Sequence, residues 1–161
     1  MDDDEVGEAM KTSRVLVIGH RGARGLIPPG NTLDSLEEGV RVGADFVEID
    51  IRRTADGELV CHHDPDIGGC NISDLSFPEA CSLALDCGYA LPTLASVLDR
   101  LEGRVCLDVE IKETGYERTI LDLLLSRWPA DRFIVKSFND ETVLACKKLE
   151  PGVRAGLLLG R

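Results

Sequence analysis

The chain has 161 residues, 43% of them hydrophobic and 29% charged, which is the composition of one globular domain with a substantial core. Its formal net charge of −11 repels the phosphate backbone of nucleic acids and argues against a nucleic-acid partner. No apolar run approaches the roughly 20 residues that cross a bilayer, which argues against a transmembrane segment.

The N-terminal segment, residues 1–13, carries five acidic residues among its first eight. A secretory signal begins with basic residues followed by an apolar stretch, so this segment predicts a solvated, disordered acidic tail instead. The six cysteines form neither a C-x-x-C pair nor a zinc-type spacing with histidine. We therefore expect reduced thiols and a cytoplasmic protein.

From residue 15 onward, short apolar runs alternate with segments of helical periodicity. Strands are predicted at residues 15–19, 46–51, 59–63, 105–111, 133–137 and 155–159. Helices are predicted at 31–42, 93–101, 116–128 and 139–149, with a shorter one at 78–85 inside the Gly- and Asp-rich loop 64–90. The link 52–58 is too short for a helix, and both a tight hairpin and an extended return are compatible with it.

Strands separated by helices predict a parallel sheet that is covered by the helices. An open doubly wound sheet and a closed barrel both satisfy this pattern, and a full barrel typically needs about 250 residues. Six strand-like segments are present and the chain ends on the sixth, so the spacing alone favours neither closure.

Charged side chains cluster where the strands end, which is the edge at which parallel α/β folds bind ligands. Glu48 and Asp50 lie two residues apart, so their carboxylates share one face of the second strand. This spacing suits a hard divalent cation, while an exposed antiparallel edge explains the pair equally well when it is taken alone. Glu110 and Lys112 repeat the spacing on the fourth predicted strand, with Asp108 on the same face, and a simple salt bridge is the usual explanation.

Histidines follow two further strands. His20-Arg21-Gly22 follows the first, and the pair His62-His63 ends the third. Taken alone, each is more often a solvated or structural strand end than a catalytic group. Independent structural explanations at four successive strand ends are improbable together. The combined set contains the acid/base groups, cation ligands and positive charge that phosphodiester hydrolysis requires.

These residues lie in motifs that resemble those of the glycerophosphodiester phosphodiesterase family and, more distantly, of the bacterial phosphatidylinositol-specific phospholipases. The matches run in order from residue 15 to about residue 160. In chain order, the motifs are H-R-G at His20-Arg21-Gly22, P-E-N-T at Pro29-Gly30-Asn31-Thr32, G-A-D-x-x-E-x-D at residues 43–50, T-x-D-G at residues 54–57, H-D at His63-Asp64, P-T-L at Pro92-Thr93-Leu94, E-x-K at Glu110-Ile111-Lys112 and S-F at Ser137-Phe138.

The resemblance implies an α/β fold of the (β/α)₈ TIM-barrel type, here incomplete over residues 14–161, with about six strands present and the last two missing. It also implies hydrolysis of glycerophosphodiesters to an alcohol and sn-glycerol 3-phosphate. The residues that match the family's functional positions are His20 and His63 as the catalytic pair, Arg21 and Lys112 as phosphate-binding residues, and Glu48, Asp50 and Glu110 as ligands of one divalent cation, Mg²⁺ or Ca²⁺. His62 matches no motif position, so His63 is the predicted catalytic member of the adjacent pair.

The sequence departs from the family pattern in two places. Gly30 stands where the motif has glutamate, so no role is assigned to this position. The chain also ends before a seventh and an eighth strand, and we expect the open flank of the barrel to favour self-association. Two alternative functions remain: a lysophospholipase D of the same family that acts on acylated substrates, and an inactive truncated barrel that serves as a binding or assembly module.

Overall fold

The computed structural model describes residues 15–160, which form an α/β fold with a mainly parallel sheet. The predicted acidic tail lies outside the described residues. The strands are β1 (Ile18–Gly19), β2 (Phe46–Arg53), β3 (Leu59–Cys61), β4 (Asp66–Ile67), β5 (Cys70–Asn71), β6 (Cys106–Ile111), β7 (Phe133–Ser137) and β8 (Arg154–Leu157). The α-helices are α1 (Leu33–Arg41), α2 (Phe77–Asp86), α3 (Leu94–Leu101), α4 (Glu117–Leu125) and α5 (Asp140–Leu149), and 3₁₀ turns span Ile72–Asp74 and Ala130–Arg132. None of these helices is long and apolar enough to cross a bilayer.

Five strands run parallel in the spatial order β1-β2-β6-β7-β8. The register between β2 and β6 places Glu48 opposite Asp108 and Asp50 opposite Glu110. Every residue of β6 is buried, and in β2 only the last residue, Arg53, is exposed. Two neighbouring buried strands therefore carry acidic side chains at the same levels of the sheet.

The third predicted strand joins the sheet by antiparallel pairing with β2 instead of extending the parallel ladder. β3 places Cys61 opposite Ile51, so the link 52–58 is a tight hairpin. The Thr54 amide closes it by donating to the Glu58 carbonyl oxygen (3.0 Å), and Gly57 adopts φ +92° at the turn. The sheet thus has the six strands expected, of which five are parallel.

Residues 64–92 form a small layer with its own core, where the sequence predicted a long loop with one short helix. β4 and β5 pair as a short hairpin, a 3₁₀ turn follows, and α2 begins at a capping box between Ser76 and Glu79. Because the buried side chains are spaced irregularly along the chain, neither a helical nor a strand period predicts them. They are Val60, Ile67, Ile72, Ala80, Ala84 and Leu91.

The helices cover the sheet and begin at caps that the sequence supplies. Thr32 accepts a hydrogen bond from the Ser35 amide at the start of α1, and Thr93 accepts one from the Ser96 amide at the start of α3. The apolar faces of α1, α3 and α4 pack with the apolar residues of β2 and β6 into one main core. Because Val47, Ile49 and Ile51 of β2 belong to that core, the alternating residues of the strand face the opposite side of the sheet.

The turn after β1 depends on Gly22. This residue adopts φ +78°, in the left-handed region, and lies directly against the backbone of α1 at Ser35. A Cβ atom at this position would overlap the Ser35 carbonyl group. The close approach fixes where His20 and Arg21, which immediately precede it, leave the sheet.

We expect Gly22→Ala to lower the free energy of unfolding by about 3 kcal/mol or more, because steric overlap adds to the cost of a left-handed alanine. Gly57→Ala is the matched control, since Gly57 also has a positive φ (+92°) but has open space where a Cβ would lie. Urea denaturation followed by circular dichroism measures both variants. Equal losses at the two positions would contradict a special role for the contact between Gly22 and α1.

Candidate active site

Three buried carboxylates converge at one place on the sheet. Glu48 and Asp50 come from β2, and Glu110 comes from β6, where it lies opposite Asp50 in the register. One carboxylate oxygen from each residue lies within 4.8 Å of the others. The alternation of β2 and β6 predicted the shared face within each strand, and the register brings the two strands' carboxylates together.

The predicted phosphate-binding residues contact this carboxylate cluster. Lys112 follows β6, and its Nζ lies 2.8 Å from Asp50 Oδ1 and also pairs with Glu110. The Arg21 Nε lies 3.3 Å from Asp50 Oδ2, while the Arg21 amide donates a hydrogen bond to Glu48 Oε2 (2.9 Å). Both cations therefore partly neutralise the acidic cluster.

Asn31 is a site residue to which the sequence analysis assigned no role. Its Nδ2 donates to Asp50 Oδ2 (2.8 Å), and the Asp50 amide donates to Asn31 Oδ1 (3.2 Å). The Asn31 amide also donates to the Arg21 carbonyl oxygen (3.1 Å), which ties the loop after β1 to β2. The signal was the asparagine of Pro29-Gly30-Asn31-Thr32, which matches the family motif, but the motif does not reveal which carboxylate it holds.

Lys136 on β7 is a second residue that the sequence analysis missed. Its Nζ lies 2.8 Å from Asp108 Oδ2 and 3.5 Å from Glu48 Oε1. The signal was a lysine between Val135 and Ser137, which are both buried in the strand. A lysine in such a strand needs an anionic partner, and the parallel pairing of β7 with β6 supplies it.

The two carboxylates of β2 differ in their protonation. Burial raises the pKa of Glu48 to about 7, and the nearby charge of Asp50 adds to this effect. For Asp50, burial also favours a higher pKa, but hydrogen bonds from Lys112 and Asn31 outweigh it and lower the pKa below its usual range. Near neutral pH, Asp50 is therefore ionised while Glu48 exchanges a proton readily.

The predicted catalytic histidines border the cluster. The His20 Nε2 lies 3.9 Å from Glu48 Oε2, and partial burial together with the Arg21 charge lowers the pKa of His20. The His63 Nδ1 lies 2.7 Å from Asp64 Oδ1, and the charge of His63 helps to lower the pKa of Asp50. With Nδ1 engaged by a carboxylate, Nε2 is the ring nitrogen of His63 that is available to a substrate.

His62 points away from the cluster, as the alternation of the strand predicts. Its Nε2 lies 3.1 Å from the Asp66 carbonyl oxygen, and its ring stacks on Tyr89 with centroids 5.9 Å apart. Burial lowers the pKa of His62. The structure therefore gives His62 a role in attaching the layer 64–92, and it separates this residue from His63.

The donor set fits a hard divalent cation. Glu48, Asp50 and Glu110 offer carboxylate oxygens, which Mg²⁺ and Ca²⁺ prefer. The buried position of all three keeps competing water away, and the pKa of Glu48, which burial chiefly raises to about 7, is one that a bound cation would lower. The residues present thus fit the ion that the motifs imply.

Residues 20–161 match the Glycerophosphoryl diester phosphodiesterase family. The chain belongs to this family. The glycerophosphodiester phosphodiesterase of Caldanaerobacter subterraneus subsp. tengcongensis is 29% identical over 163 residues, which cover 90% of this chain and 67% of the relative. The glycerophosphodiester phosphodiesterase of Bacillus subtilis is 26% identical over 183 residues, which cover 95% of this chain and 62% of the relative.

Solved structures give the same result for the fold. A glycerophosphodiester phosphodiesterase from Parabacteroides distasonis matches with a TM-score of 0.81 and 30% identity over 91% of this chain and 66% of that one. An Oleispira antarctica phosphodiesterase, solved in complex with the product sn-glycerol-3-phosphate, matches with a TM-score of 0.78 and 26% identity over 94% and 67% of the two chains. The chain spans about two thirds of the length of the curated relatives it matches. The family and the barrel-type α/β fold predicted from the motifs are confirmed.

Gly30, which replaces the glutamate of the family motif, has a structural explanation. It adopts φ +86°, and a Cβ at this position would lie 2.8 Å from the Cβ of Arg21 and 3.0 Å from that of Arg24. The loop after β1 therefore packs the stems of two arginines where a side chain at residue 30 would begin. In this chain the position therefore favours close packing of the loop after β1.

The raised pKa of Glu48 predicts a distinct pH dependence of stability in the metal-free protein. A group whose pKa is raised by folding opposes folding once it ionises, so stability falls as the pH rises from about 4.5 to about 7. We expect Glu48→Gln to abolish this loss. The difference in free energy of unfolding between the variant and the wild type should therefore shift by up to about 3 kcal/mol in favour of the variant between about pH 4 and about pH 8.

Urea denaturation at a series of pH values, in the presence of a chelator, measures this difference. Glu141→Gln controls for the removal of one negative charge, because Glu141 is exposed on α5. Parallel stability curves for the wild type and Glu48→Gln would contradict the prediction.

Proposed function

We propose that this protein hydrolyses glycerophosphodiesters to an alcohol and sn-glycerol 3-phosphate with the help of one divalent cation, Mg²⁺ or Ca²⁺. The observation that carries the proposal is the convergence of three buried carboxylates, within 4.8 Å of one another, beside Arg21, Lys112 and His20. The names of the relatives support the same reaction, and one structural neighbour binds sn-glycerol-3-phosphate as its product.

Glu48, Asp50 and Glu110 would hold the cation. A cation held there supplies Lewis-acid polarisation of the phosphate and offsets its charge. Asp50 suits this task because Asn31 orients it from one side through two hydrogen bonds. Glu48 must give up its proton to bind the ion, so we expect binding of the cation to release protons near neutral pH.

Arg21 and Lys112 bind the phosphate oxygens. Both already border the carboxylate cluster, so a phosphate anion that enters gains two cationic donors in a protein whose net charge is −11. Their side chains are largely but not fully buried, 13% and 10% exposed, which strengthens their attraction for an anion compared with surface cations.

His20 and His63 transfer the protons. A water or glycerol hydroxyl attacks phosphorus, and one histidine accepts the proton of that nucleophile. The bond between phosphorus and the oxygen of the leaving alcohol breaks, and the other histidine protonates that oxygen. A glycerol hydroxyl as nucleophile gives a cyclic phosphate, which water then opens with the same pair of histidines. Histidine suits both steps because its usual pKa of about 6.5 lies close to neutral pH.

A lysophospholipase D activity is the second candidate, and a groove beside the site favours it. The groove has a volume of about 590 Å³, and its apolar walls include Ile27, Leu33, Phe77 and Tyr89. Pro28 lines both this groove and a smaller cavity that contains His20. The alcohol portion of a substrate that extended past His20 would therefore meet apolar surface suited to an acyl chain.

A single assay separates these functions. We expect turnover of a soluble glycerophosphodiester in the presence of Mg²⁺ or Ca²⁺, and loss of turnover on addition of a chelator. Replacement of His20 or His63 by alanine should lower kcat at least about 100-fold, because each removes an acid/base group. His62→Ala is the matched control and should cost less than about fivefold, since the side chain faces the layer 64–92.

A lysophospholipid assayed in parallel tests the second candidate. Faster turnover of the lysophospholipid would favour the lysophospholipase D. Binding of the cation without turnover of either substrate would support the binding module and contradict both enzymatic functions. Equal losses at His62 and His63 would show that the acid/base pair is assigned incorrectly.

We also propose that the protein works in a reducing, cytoplasmic environment. All six cysteines are free, and Cys61, Cys106 and Cys146 are buried as small apolar side chains. Burial raises the pKa of the Cys61 and Cys146 thiols, which keeps them protonated and unreactive.

We further propose that the chain self-associates through the edges of its sheet. Among the described strands, β1 pairs with β2 alone and β8 pairs with β7 alone. Ile18 on β1 is 51% exposed and Leu157 on β8 is 48% exposed. Exposed apolar edge strands are templates for pairing with another chain.

Light scattering after size-exclusion chromatography should therefore detect dimers or larger species of the purified chain, because association buries both edges. Leu157→Lys should shift the population towards the monomer. Leu85→Lys is the control, since Leu85 is 65% exposed but lies on α2, which belongs to the layer 64–92 and packs against β4. A monodisperse monomer for the wild type would contradict self-association.

A further inference from the structure

Arg52 is a buried cation near the site to which the proposed reaction assigns no role. It follows Glu48 and Asp50 by the strand alternation of β2, and its side chain is 10% exposed. A buried guanidinium is costly unless its donors are paired. The groups that pair with the Arg52 side chain therefore indicate its structural role.

Two of the Arg52 donors bind one main-chain atom. The Nε and Nη2 atoms donate to the carbonyl oxygen of His63, at 3.0 and 2.8 Å. This fork holds that oxygen more firmly than a single hydrogen bond would, because two donors from one planar guanidinium converge on it.

The remaining nitrogen of Arg52, Nη1, pairs with the carboxylate of Glu113. The other oxygen of Glu113 accepts a hydrogen bond from the Tyr116 hydroxyl (2.9 Å), which also lies 3.3 Å from the Ile51 carbonyl oxygen. Tyr116 is 3% exposed, so this chain of contacts is anchored in the core. Glu113 directly follows Lys112, the predicted phosphate-binding residue at the end of β6.

His63 needs such support because it lies beyond the regular part of its strand. β3 ends at Cys61, and the ladder continues only through the His62 amide, which donates to the Asp50 carbonyl oxygen (2.9 Å). The His63 ring is held by Asp64, whose side chain is 68% exposed. An exposed carboxylate alone is a weak restraint, so the main-chain hold by Arg52 carries more of the orientation.

We propose that Arg52 is a positioning residue that fixes the main chain of His63 and, through Glu113, couples it to the loop that begins at Lys112. The catalytic meaning of this role rests on the proposed function of His63. His63, which would transfer a proton, follows β3, whereas Lys112, which would bind the phosphate, follows β6. The buried Arg52 side chain contacts the segments that follow both strands, at His63 and at Glu113.

Kinetics of three variants test the effect on turnover. Arg52→Gln should lower kcat roughly 10- to 100-fold with KM changed by less than about threefold, because misplacing an acid/base group affects the transition state more than binding. Arg52→Lys should recover part of kcat, since an ammonium can bond the carbonyl but cannot form the fork. Arg132→Gln is the matched control, as Arg132 is also a buried arginine that donates to a main-chain carbonyl oxygen, that of Gly103, but it precedes β7 at the end of the sheet opposite the site.

Nuclear magnetic resonance of the histidine rings provides a readout that does not depend on turnover. The chain has three histidines, so spectra of protein labelled with ¹⁵N-histidine contain three ring systems, which alanine variants assign. In Arg52→Gln the ring signals of His63 should shift or broaden, while those of His20 and His62 stay in place. Arg132→Gln should leave all three unchanged.

The two readouts separate failure of this inference from failure of the proposed function. Unchanged His63 signals in Arg52→Gln overturn the positioning role, whatever happens to kcat. If the wild-type protein has no turnover but the His63 signals still change in Arg52→Gln, the positioning role is supported and only the proposed function is overturned. If Arg52→Gln does not fold, Glu113→Gln is read in the same way, since it keeps Arg52 and removes its ionic partner. Unchanged His63 signals in that variant overturn the coupling.

Discussion

The site depends on one constraint: acidic side chains on the inner face of two adjacent parallel strands must be neutralised without exposing them to water. The register of β2 and β6 sets Asp50 opposite Glu110 and Glu48 opposite Asp108, all of them buried. Burying such a set without partners would cost several kcal/mol per charge. Lys112, which follows β6, pairs with Asp50, and Lys136 on β7 pairs with Asp108. Arg21, in the loop after β1, also pairs with Asp50.

This arrangement would allow an acidic protein to bind the anionic substrate that we propose for it. The net charge of −11 repels phosphate at long range, but within the site each buried carboxylate has a cation within a few ångström. If a phosphate entered with a divalent cation, as proposed, it would replace interactions within this network and leave no charged side chain without a partner. Hydrogen bonds from Lys112 and Asn31 lower the pKa of Asp50, whereas burial raises that of Glu48 to about 7, so a single strand carries two carboxylates that differ in protonation.

The sequence predicted which side chains share a face of a strand, but not which side chains from other parts of the chain contact them. Alternation alone placed Glu48 with Asp50 and Glu110 with Lys112, because the period of a strand is local. It could not assign Asn31, Lys136 or Arg52, whose partners are 19 residues, 28 residues and 61 residues away. Nor could it distinguish the hairpin at 52–58 from a return along the sheet, since both satisfy the same turn residues. These features depend on pairing between residues that are far apart in the chain. The periodicity of a single sequence reflects only local structure and therefore does not predict such pairs.

The hairpin has a consequence for how the chemistry is distributed along the chain. Because β3 folds back on β2, His63 emerges beside Asp50 and Arg52 instead of one parallel strand further on. The other predicted site residues lie on β2, in the loop after β1 and at the end of β6, so all of them fall within residues 20–112 of the sequence. Lys136 on β7 completes the charge network. The groups that would perform the reaction therefore depend on the β1-β2-β6-β7 ladder and on one hairpin, whereas protection of the edges depends on what covers β1 and β8. Closure at the β8 edge is therefore separable from the chemistry, because β8 reaches the site only through β7. The β1 edge is not separable in this way, because His20 and Arg21 follow β1 directly.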